Sequence, residues 1–436
     1  MSAVWVSVLA LVAMFMVASV MPINMGALAF VAAFLVGTLA LAMDTDSIIA
    51  GFPGDIVLIL IGVTYLFGIA QANGTVDLLI GGAVRMVGGR VAALPWVMFL
   101  VSATLTAIGA LSPAAVAIVA PIALGFAAHY RINTLLMGAM VVHGAQAGSF
   151  SPISVYGGIV NGIEAGLPIA SNTLAVFALT FVFNFAFAFV LYLVLGRGKL
   201  AGRQIEVNDE TRSTTGNGAQ RGPGPGTATA AKMGTDRRAS IDQIATVIGI
   251  ITLIVLTVGF QLELGFVAMS IAVTLAILFP STQREAVSNI SWSTVLLLGG
   301  VLTYVNVLEE AGTIDHVGNA VSDMRVALLA ALLLCVIAAV VTALASSTAM
   351  LGVVIPLAAP FLIQGEVGTT VMIAALAVSI TMTDISPFST NGALVLANAR
   401  DPEPERFYRR MLAYTGMVCV AAPAVAWLFI VVPGGL

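Results

Sequence analysis

The sequence predicts an all-α polytopic membrane protein built from two inverted repeats, each with three spans, a re-entrant hairpin, a broken helix and a final span. Composition is the first observation behind this reading. Of 436 residues 60% are hydrophobic and 9% are charged, against about 25% charged in a soluble domain. The second is an internal repeat. Ser112, Pro121, Ser151-Pro152 and Gly157 recur 235 positions later as Ser347, Pro356, Ser386-Pro387 and Gly392. Earlier in each half Val57-Leu58, Gly62, Gly74-Thr75 and Asp77 recur 238 positions later as Val295-Leu296, Gly300, Gly312-Thr313 and Asp315. The third is that the apolar runs of both halves come in one order and break at matching places. In so apolar a chain, such a repeat points to a secondary transporter whose oppositely oriented halves meet at a midplane site.

The elements follow from apolar runs of about 20 residues, the length that spans a bilayer. Spans near 3–20, 25–42 and 55–72 lead into a block at 92–128 interrupted at Leu111-Ser112-Pro113. A block at 134–163 is interrupted at Ser149-Phe150-Ser151-Pro152, and a final span runs over 171–195. The second half repeats this at 242–258, 263–279 and 292–308. Its block at 326–363 breaks at Ser346-Ser347-Thr348, its block at 370–398 breaks at Asp384-Ile385-Ser386-Pro387, and the last span is 411–432. Met1 to Met21 lacks an initial Lys or Arg and a small-x-small cleavage site, so it is read as a retained first helix. Cys335 and Cys419 lie inside apolar runs and read as core packing.

The first interrupted block of each half is long enough for two short spans or for one re-entrant hairpin. Charge separates the two through the positive-inside rule. With a hairpin each half crosses five times and the halves invert. Arg85, Arg90, Arg131, Arg284, Arg400, Arg406, Arg409 and Arg410 then share a side with the basic residues between Arg197 and Arg238, which places 16 of 17 Lys and Arg together. Arg325 falls on the other side with Asp44, Asp46, Asp55, Glu164, Glu263, Glu309 and Glu310. Two full spans would destroy this segregation. The expected topology has a cytoplasmic central loop and both termini outside. The loop at 196–240 is rich in Gly, Pro, Thr and Ser from Thr211 to Thr229 and reads as a disordered tether.

Polar residues at membrane depth are costly and mark functional sites. Here they gather at the four breaks, where free N–H ends draw anions and free C=O ends draw cations. Ser346-Ser347-Thr348 puts three hydroxyls at the second tip, as carboxylate or sodium ligands or as a helix cap. Ser112 is the one candidate at the first tip. Ser151-Pro152 and Ser386-Pro387 break the two long helices, because proline removes a donor and clashes with the preceding turn. Asn391 follows the second break, with Ser389 and Thr390; Ser154, Tyr156 and Asn161 follow the first. Candidate substrate ligands are therefore Ser112, Ser347, Thr348, Ser151, Pro152, Ser386, Pro387 and Asn391. Candidate cation ligands are Ser346, Asp384, Ser149 and Gly109. Asp384 reads either as a cation or proton site or as the cap of a half-helix starting near Ser386. His143 reads as a titrating group or a packing histidine, with Gln146 on the same face as its candidate partner. No Lys or Arg lies near a break, so a dianion would need co-bound cations to neutralise it.

The order of these elements, given twice, resembles the ion transporter superfamily, to which the divalent anion–sodium symporters belong. In that family each tip carries Ser-Asn-Thr with a proline eight residues after the threonine. Ser346-Ser347-Thr348 with Pro356 fits this with Ser347 in place of the asparagine, whereas Leu111-Ser112-Pro113 before Pro121 departs from it. The family's Thr-Pro at each broken helix is similar to Ser151-Pro152 and Ser386-Pro387. Residues 21 to about 165 resemble the malonate/dicarboxylate carrier family through Gly51-Phe52-Pro53, Gly109-Ala110-Leu111-Ser112-Pro113 and Ser149-Phe150-Ser151-Pro152-Ile153. The resemblance implies a homodimer with a scaffold and a moving transport part in each repeat. In the first repeat, 1–195, these are 3–72 and 92–195; in the second, 241–436, they are 242–308 and 326–432.

Together these features predict a carrier of a small dicarboxylate, malonate or a C4 acid, in a lipid bilayer, expected to be the bilayer of the bacterial inner membrane. Alternating access, coupled to Na+ (or H+), is expected, with no other cofactor and no nucleic-acid partner. A cation/proton antiporter using Asp384 is the nearest alternative, and a channel or a membrane-embedded enzyme follows behind. No His-Glu-x-x-His, paired membrane aspartates or cysteine cluster supports an enzyme.

Overall fold

In the computed structural model the described residues are 3–21, 23–85, 90–196, 239–314, 316, 327–344, 347–363, 367–399 and 401–434. The first half comprises α1 (Ala3–Val20), α2 (Met25–Ala40), short α3 (Thr45–Ala50), α4 (Gly54–Ala72), α5 (Thr75–Arg85), α6 (Leu94–Ala107), α7 (Ser112–His129), α8 (Thr134–Gly148), α9 (Val155–Ala165) and α10 (Thr173–Leu195). The second comprises α11 (Ile241–Ile254), α12 (Leu264–Leu278), α13 (Gln283–Ser288), α14 (Trp292–Glu310), α15 (Ala327–Leu344), α16 (Ser347–Ile363), α17 (Thr369–Thr383), α18 (Thr390–Asn398) and α19 (Pro404–Ala426). Among the described residues, six helices are long and apolar enough to cross a membrane, and the chain is an all-α integral membrane protein. The tether, apart from its ends, lies outside the described residues, as do Arg325 and Ser346.

The last span begins at Pro404 rather than at 411. Its first turns carry Arg406 and Arg409, paired with Glu403 and Glu405 at 3.2 and 3.0 Å in exposed positions. A helix can leave the bilayer as a charged amphipathic stretch that an apolar run does not reveal.

The halves pack reciprocally. Helix α2 lies along α14 and α12 lies along α4; α7 packs on α18, and α16 on α9. Glycine permits the first pair of crossings. A Cβ on Gly26 would lie 2.0 Å from the Leu296 carbonyl oxygen, and one on Gly300 would lie 1.9 Å from that of Gly26. At the matching crossing a Cβ on Gly62 would meet the Gly265 carbonyl oxygen at 2.6 Å. Without a strong hydrophobic drive between helices in lipid, such close backbone packing is a main source of association. Polar side-chain pairs repeat the pattern. Ser7 Oγ meets Thr313 Oγ1 at 2.7 Å, and Asn73 Nδ2 donates to Thr246 Oγ1 at 2.7 Å.

Helices α4 and α14 run antiparallel. The start of α4 and the end of α14 line one cavity together, with Asp55 facing Asn306 and Glu309. At the other end the Ser291 N–H donates to Thr64 Oγ1 at 3.4 Å, and Gly68 lies against Ala286.

Candidate functional site

The two breaks share their helix bounds and their capping serines. Helix α8 ends at Gly148 and α9 starts at Val155; α17 ends at Thr383 and α18 starts at Thr390. Ser154 caps α9 by accepting from the Gly157 N–H at 3.2 Å, and Ser389 caps α18 by accepting from the Gly392 N–H at 3.2 Å. Ser154 Oγ lies 2.7 Å from the Ser151 carbonyl oxygen and Ser389 Oγ 2.8 Å from that of Ser386. This corrects the expectation that Asp384 caps a half-helix starting near Ser386. The helix starts later, Ser389 caps it, and the Asp384 carboxylate is turned to other partners.

Those partners come from both halves. Asp384 Oδ2 accepts from Ser347 Oγ at 2.9 Å, from Asn391 Nδ2 at 2.9 Å, and from Gln146 Nε2. Asn391 Nδ2 also donates to Ser112 Oγ at 2.7 Å, which ties the second break to the first tip. Tyr156 OH lies 2.8 Å from Ser347 Oγ and 3.1 Å from Thr348 Oγ1, which ties the first break to the second tip. Proton accounting orders this chain. An ionised Asp384 takes the single Ser347 proton, Ser347 then accepts from Tyr156, and Tyr156 accepts from Thr348. All seven of these residues are buried. Two buried acceptors of the cluster, Gln146 Oε1 and Asn391 Oδ1, have no hydrogen-bond partner among the described residues.

The other anticipated residues take local roles. Ser151 Oγ donates to the Ala107 carbonyl at 2.7 Å and so fastens the first break to the end of α6. Ser386 Oγ accepts from the Phe388 N–H at 3.2 Å. Ser149 turns its hydroxyl back to the Ala145 carbonyl at 2.6 Å, and Gly109 shapes the first tip at φ +117. Pro387 is buried, and Pro152 lines a cavity of about 510 Å³ with Asp55 and Glu263.

Gln146 is not the partner of His143. Asn184 Nδ2 donates to the Thr180 carbonyl at 3.0 Å, which leaves its oxygen to accept from His143 Nδ1 at 3.2 Å. His143 Nε2 then accepts from Tyr414 OH at 2.7 Å. The imidazole is satisfied as a neutral group between α8, α10 and α19. Spacing on one helix favoured Gln146, but partners from other helices took both sides of the ring.

A cavity of about 520 Å³ opens onto the second tip at Thr348. Five helix N-termini line it: α2 at Asn24 and Met25, α7 at Leu111 and Pro113, α14 at Ser291, Ser293 and Thr294, α16 at Thr348 and Ala349, and α18 at Thr390. A helix N-terminus carries a partial positive charge and N–H groups without intrahelical partners; at α2 and α18 one of these, on Gly26 and Gly392, is already taken by Asn24 Oδ1 and Ser389 Oγ. None of its lining residues is charged. Asn24 Nδ2 donates to Ser293 Oγ and to its carbonyl at 2.9 Å, joining two of these ends. The 510 Å³ cavity occupies the matching place in the repeat at the opposite end of the α4–α14 pair. There Asp55 and Glu263 stand where Ser293 and Asn24 stand here.

Comparison with known proteins agrees with the resemblance drawn from Gly51-Phe52-Pro53 and the tip and break motifs. Residues 1–149 match the family model for the dicarboxylate carrier protein MatC N-terminus. The YdaH transporter of Alcanivorax borkumensis has a similar structure, with a TM-score of 0.56 over 89% of this chain and 89% of its own at 14% identity. At that identity the likeness is one of fold. No curated protein matches the sequence.

Proposed function

We propose that this protein is a secondary carrier of a small dicarboxylate, malonate or a C4 acid, coupled to Na+ and working by alternating access. The observation that carries the reading is the uncharged chamber ringed by five helix N-termini, with Asp384 behind it. N–H groups and hydroxyls suit a carboxylate, while the lack of any Lys or Arg leaves a dianion's charge to be balanced by cations. Asp384 provides the one carboxylate of the buried cluster at which a cation can enter with the substrate.

Antiparallel α4 and α14, with the reciprocal crossings, support the inverted repeat. The tips meeting the breaks midway along α8–α9 and α17–α18 support re-entrant hairpins. Arg284, on α13, precedes the α14 start that lines the chamber, whereas Asp55, Glu263 and Glu309 line the cavities at the opposite end. By the positive-inside rule the chamber then opens to the cytoplasm. The homodimer and the scaffold–transport division rest on the family resemblance, and the bacterial inner membrane is the location this reading assumes.

A thermal-shift screen of the purified carrier against C3, C4 and C6 acids, in Na+ or in choline, tests the assignment. Stabilisation by a C3 or C4 dicarboxylate that needs Na+ is the expected result, since a ligand stabilises the state it binds. No response to any dicarboxylate in either salt would refute it.

A further inference from the structure

We infer that the coupling cation binds at one site only, where the two halves meet, between the Asp384 carboxylate and the amide oxygens of Gln146 and Asn391. The inference rests on the carrier reading above and specifies its cation site. In the structure both amides turn their N–H groups to Asp384 Oδ2, and both amide oxygens are buried without partners among the described residues. A buried acceptor left unpaired is costly, so two beside one carboxylate require an explanation. Each lies within about 5 Å of Oδ2, given amide geometry and hydrogen-bond lengths. Half a turn of each amide would bring two carbonyl oxygens beside the carboxylate, a hard-oxygen set suited to a small cation. The N–H groups then act as stand-ins that satisfy Asp384 while the cation is away.

The repeat argues for one such site rather than two. At an offset of 235 the partners of Asp384, Gln146 and Asn391 are Ser149, Thr381 and Tyr156. Ser149 spends its hydroxyl proton on the Ala145 carbonyl, Thr381 donates to the Val378 carbonyl at 3.2 Å and accepts from Asn184, and Tyr156 is engaged with the second tip. The equivalent position therefore has no carboxylate and no amide oxygen. Gln146 comes from the first half and Asp384 and Asn391 from the second, so the cation would bridge the two repeats.

The test uses the full-length purified protein without substrate, titrated with Na+ against choline at constant ionic strength. Thermal unfolding should show saturable stabilisation with a Hill coefficient near one, and equilibrium binding of radioactive Na+ should give one ion per protomer. Gln146→Met should raise the Na+ midpoint at least about tenfold, whereas Gln146→Glu, which keeps an oxygen, should retain Na+ stabilisation. Two ions per protomer, an unchanged midpoint in Gln146→Met, or loss of the Na+ response in Gln146→Glu would each overturn the inference. The stoichiometry is read on the unmodified protein and stands if a variant fails to fold. Dicarboxylate stabilisation without any Na+ effect would remove the cation site and leave a dicarboxylate carrier. A Na+ effect without any dicarboxylate response would do the reverse.

Discussion

Replacing Asp384 with asparagine separates the charge of the cluster from its shape. The asparagine oxygen can occupy the Oδ2 position and accept from Ser347, Asn391 and Gln146 as the carboxylate does. Hydrogen bonds to a charged acceptor contribute about 1.5–3 kcal/mol and neutral ones about 0.5–1.5, so three of them lose roughly 3 kcal/mol in total. Against this, the variant no longer buries an ionised carboxylate, a penalty of several kcal/mol. The substrate-free, Na+-free protein should therefore unfold at an unchanged or slightly higher temperature. Cation binding should suffer far more. Unit charges about 4 Å apart attract by about 4 kcal/mol at an effective dielectric constant near 20, which corresponds to roughly three orders of magnitude in affinity. Uptake into proteoliposomes should show substrate affinity falling mainly at low Na+ and partly recovering at high Na+, as linked binding requires. An unchanged Na+ dependence would assign Asp384 to structure and refute the reasoning.

Gly300→Ala should cost about 3 kcal/mol or more and cut the yield of folded protein, because its Cβ would sit 1.9 Å from the Gly26 carbonyl oxygen. Gly299→Ala should be tolerated, since its nearest neighbours are the Phe52 and Phe30 rings; equal yields of the two variants in detergent would contradict this. Ser347 and Thr348 changed together to alanine should abolish uptake with expression near normal, and uptake at the unmodified rate would remove the second tip from the site. A cysteine at Gly218 should label only from the cytoplasmic side and one at Ser47 only from outside, with outside labelling at Gly218 sinking the topology.

Order and breaks were legible because apolar length and proline act locally. Spans expected at 3–20 and 55–72 appear as Ala3–Val20 and Gly54–Ala72. Helices α3, α5 and α13 are short and flank spans, so no apolar run announces them. Ser112, Ser347, Asp384 and Asn391 were legible as polar residues at breaks, and the structure brings them into one cluster. Their pairings were not, because they depend on tertiary approach. Gln146 reaches Asp384 across 238 positions, and His143 reaches Tyr414 across 271. Tyr156 carried an overlooked signal. The offset that pairs Ser112 with Ser347 also pairs Tyr156 with Asn391, and each reaches the opposite half's tip. Asn24 and Ser293 stand at helix ends and carry no signal in the sequence, because only the packing of α2 on α14 turns them toward the chamber.

The two repeats agree where packing is at stake and differ where ligands are. Glycine crossings, capping serines and break backbones match, because a reciprocal fold makes the same steric demand twice. Yet across the repeat Asp384 corresponds to Ser149, Asn391 to Tyr156 and Ser293 to Asp55, and the cap of α2, Asn24, corresponds to the cap of α12, Glu263. A carrier that binds one anion together with a cation cannot keep two identical ends, since an anion chamber and a cation site need opposite charge. In the proposed orientation, acids line the outer cavity, which draws cations by their field. The polar part of the inner chamber's lining is N–H ends, hydroxyls and the Asn24 amide, which hold an anion without the fixed positive charge that would impede its release. Asp55→Asn paired with Glu263→Gln should therefore weaken Na+ association at low ionic strength and leave substrate affinity at saturating Na+ unchanged. Unchanged Na+ association at low ionic strength would show that the outer acids do not draw cations and leave Glu263 as the cap of α12.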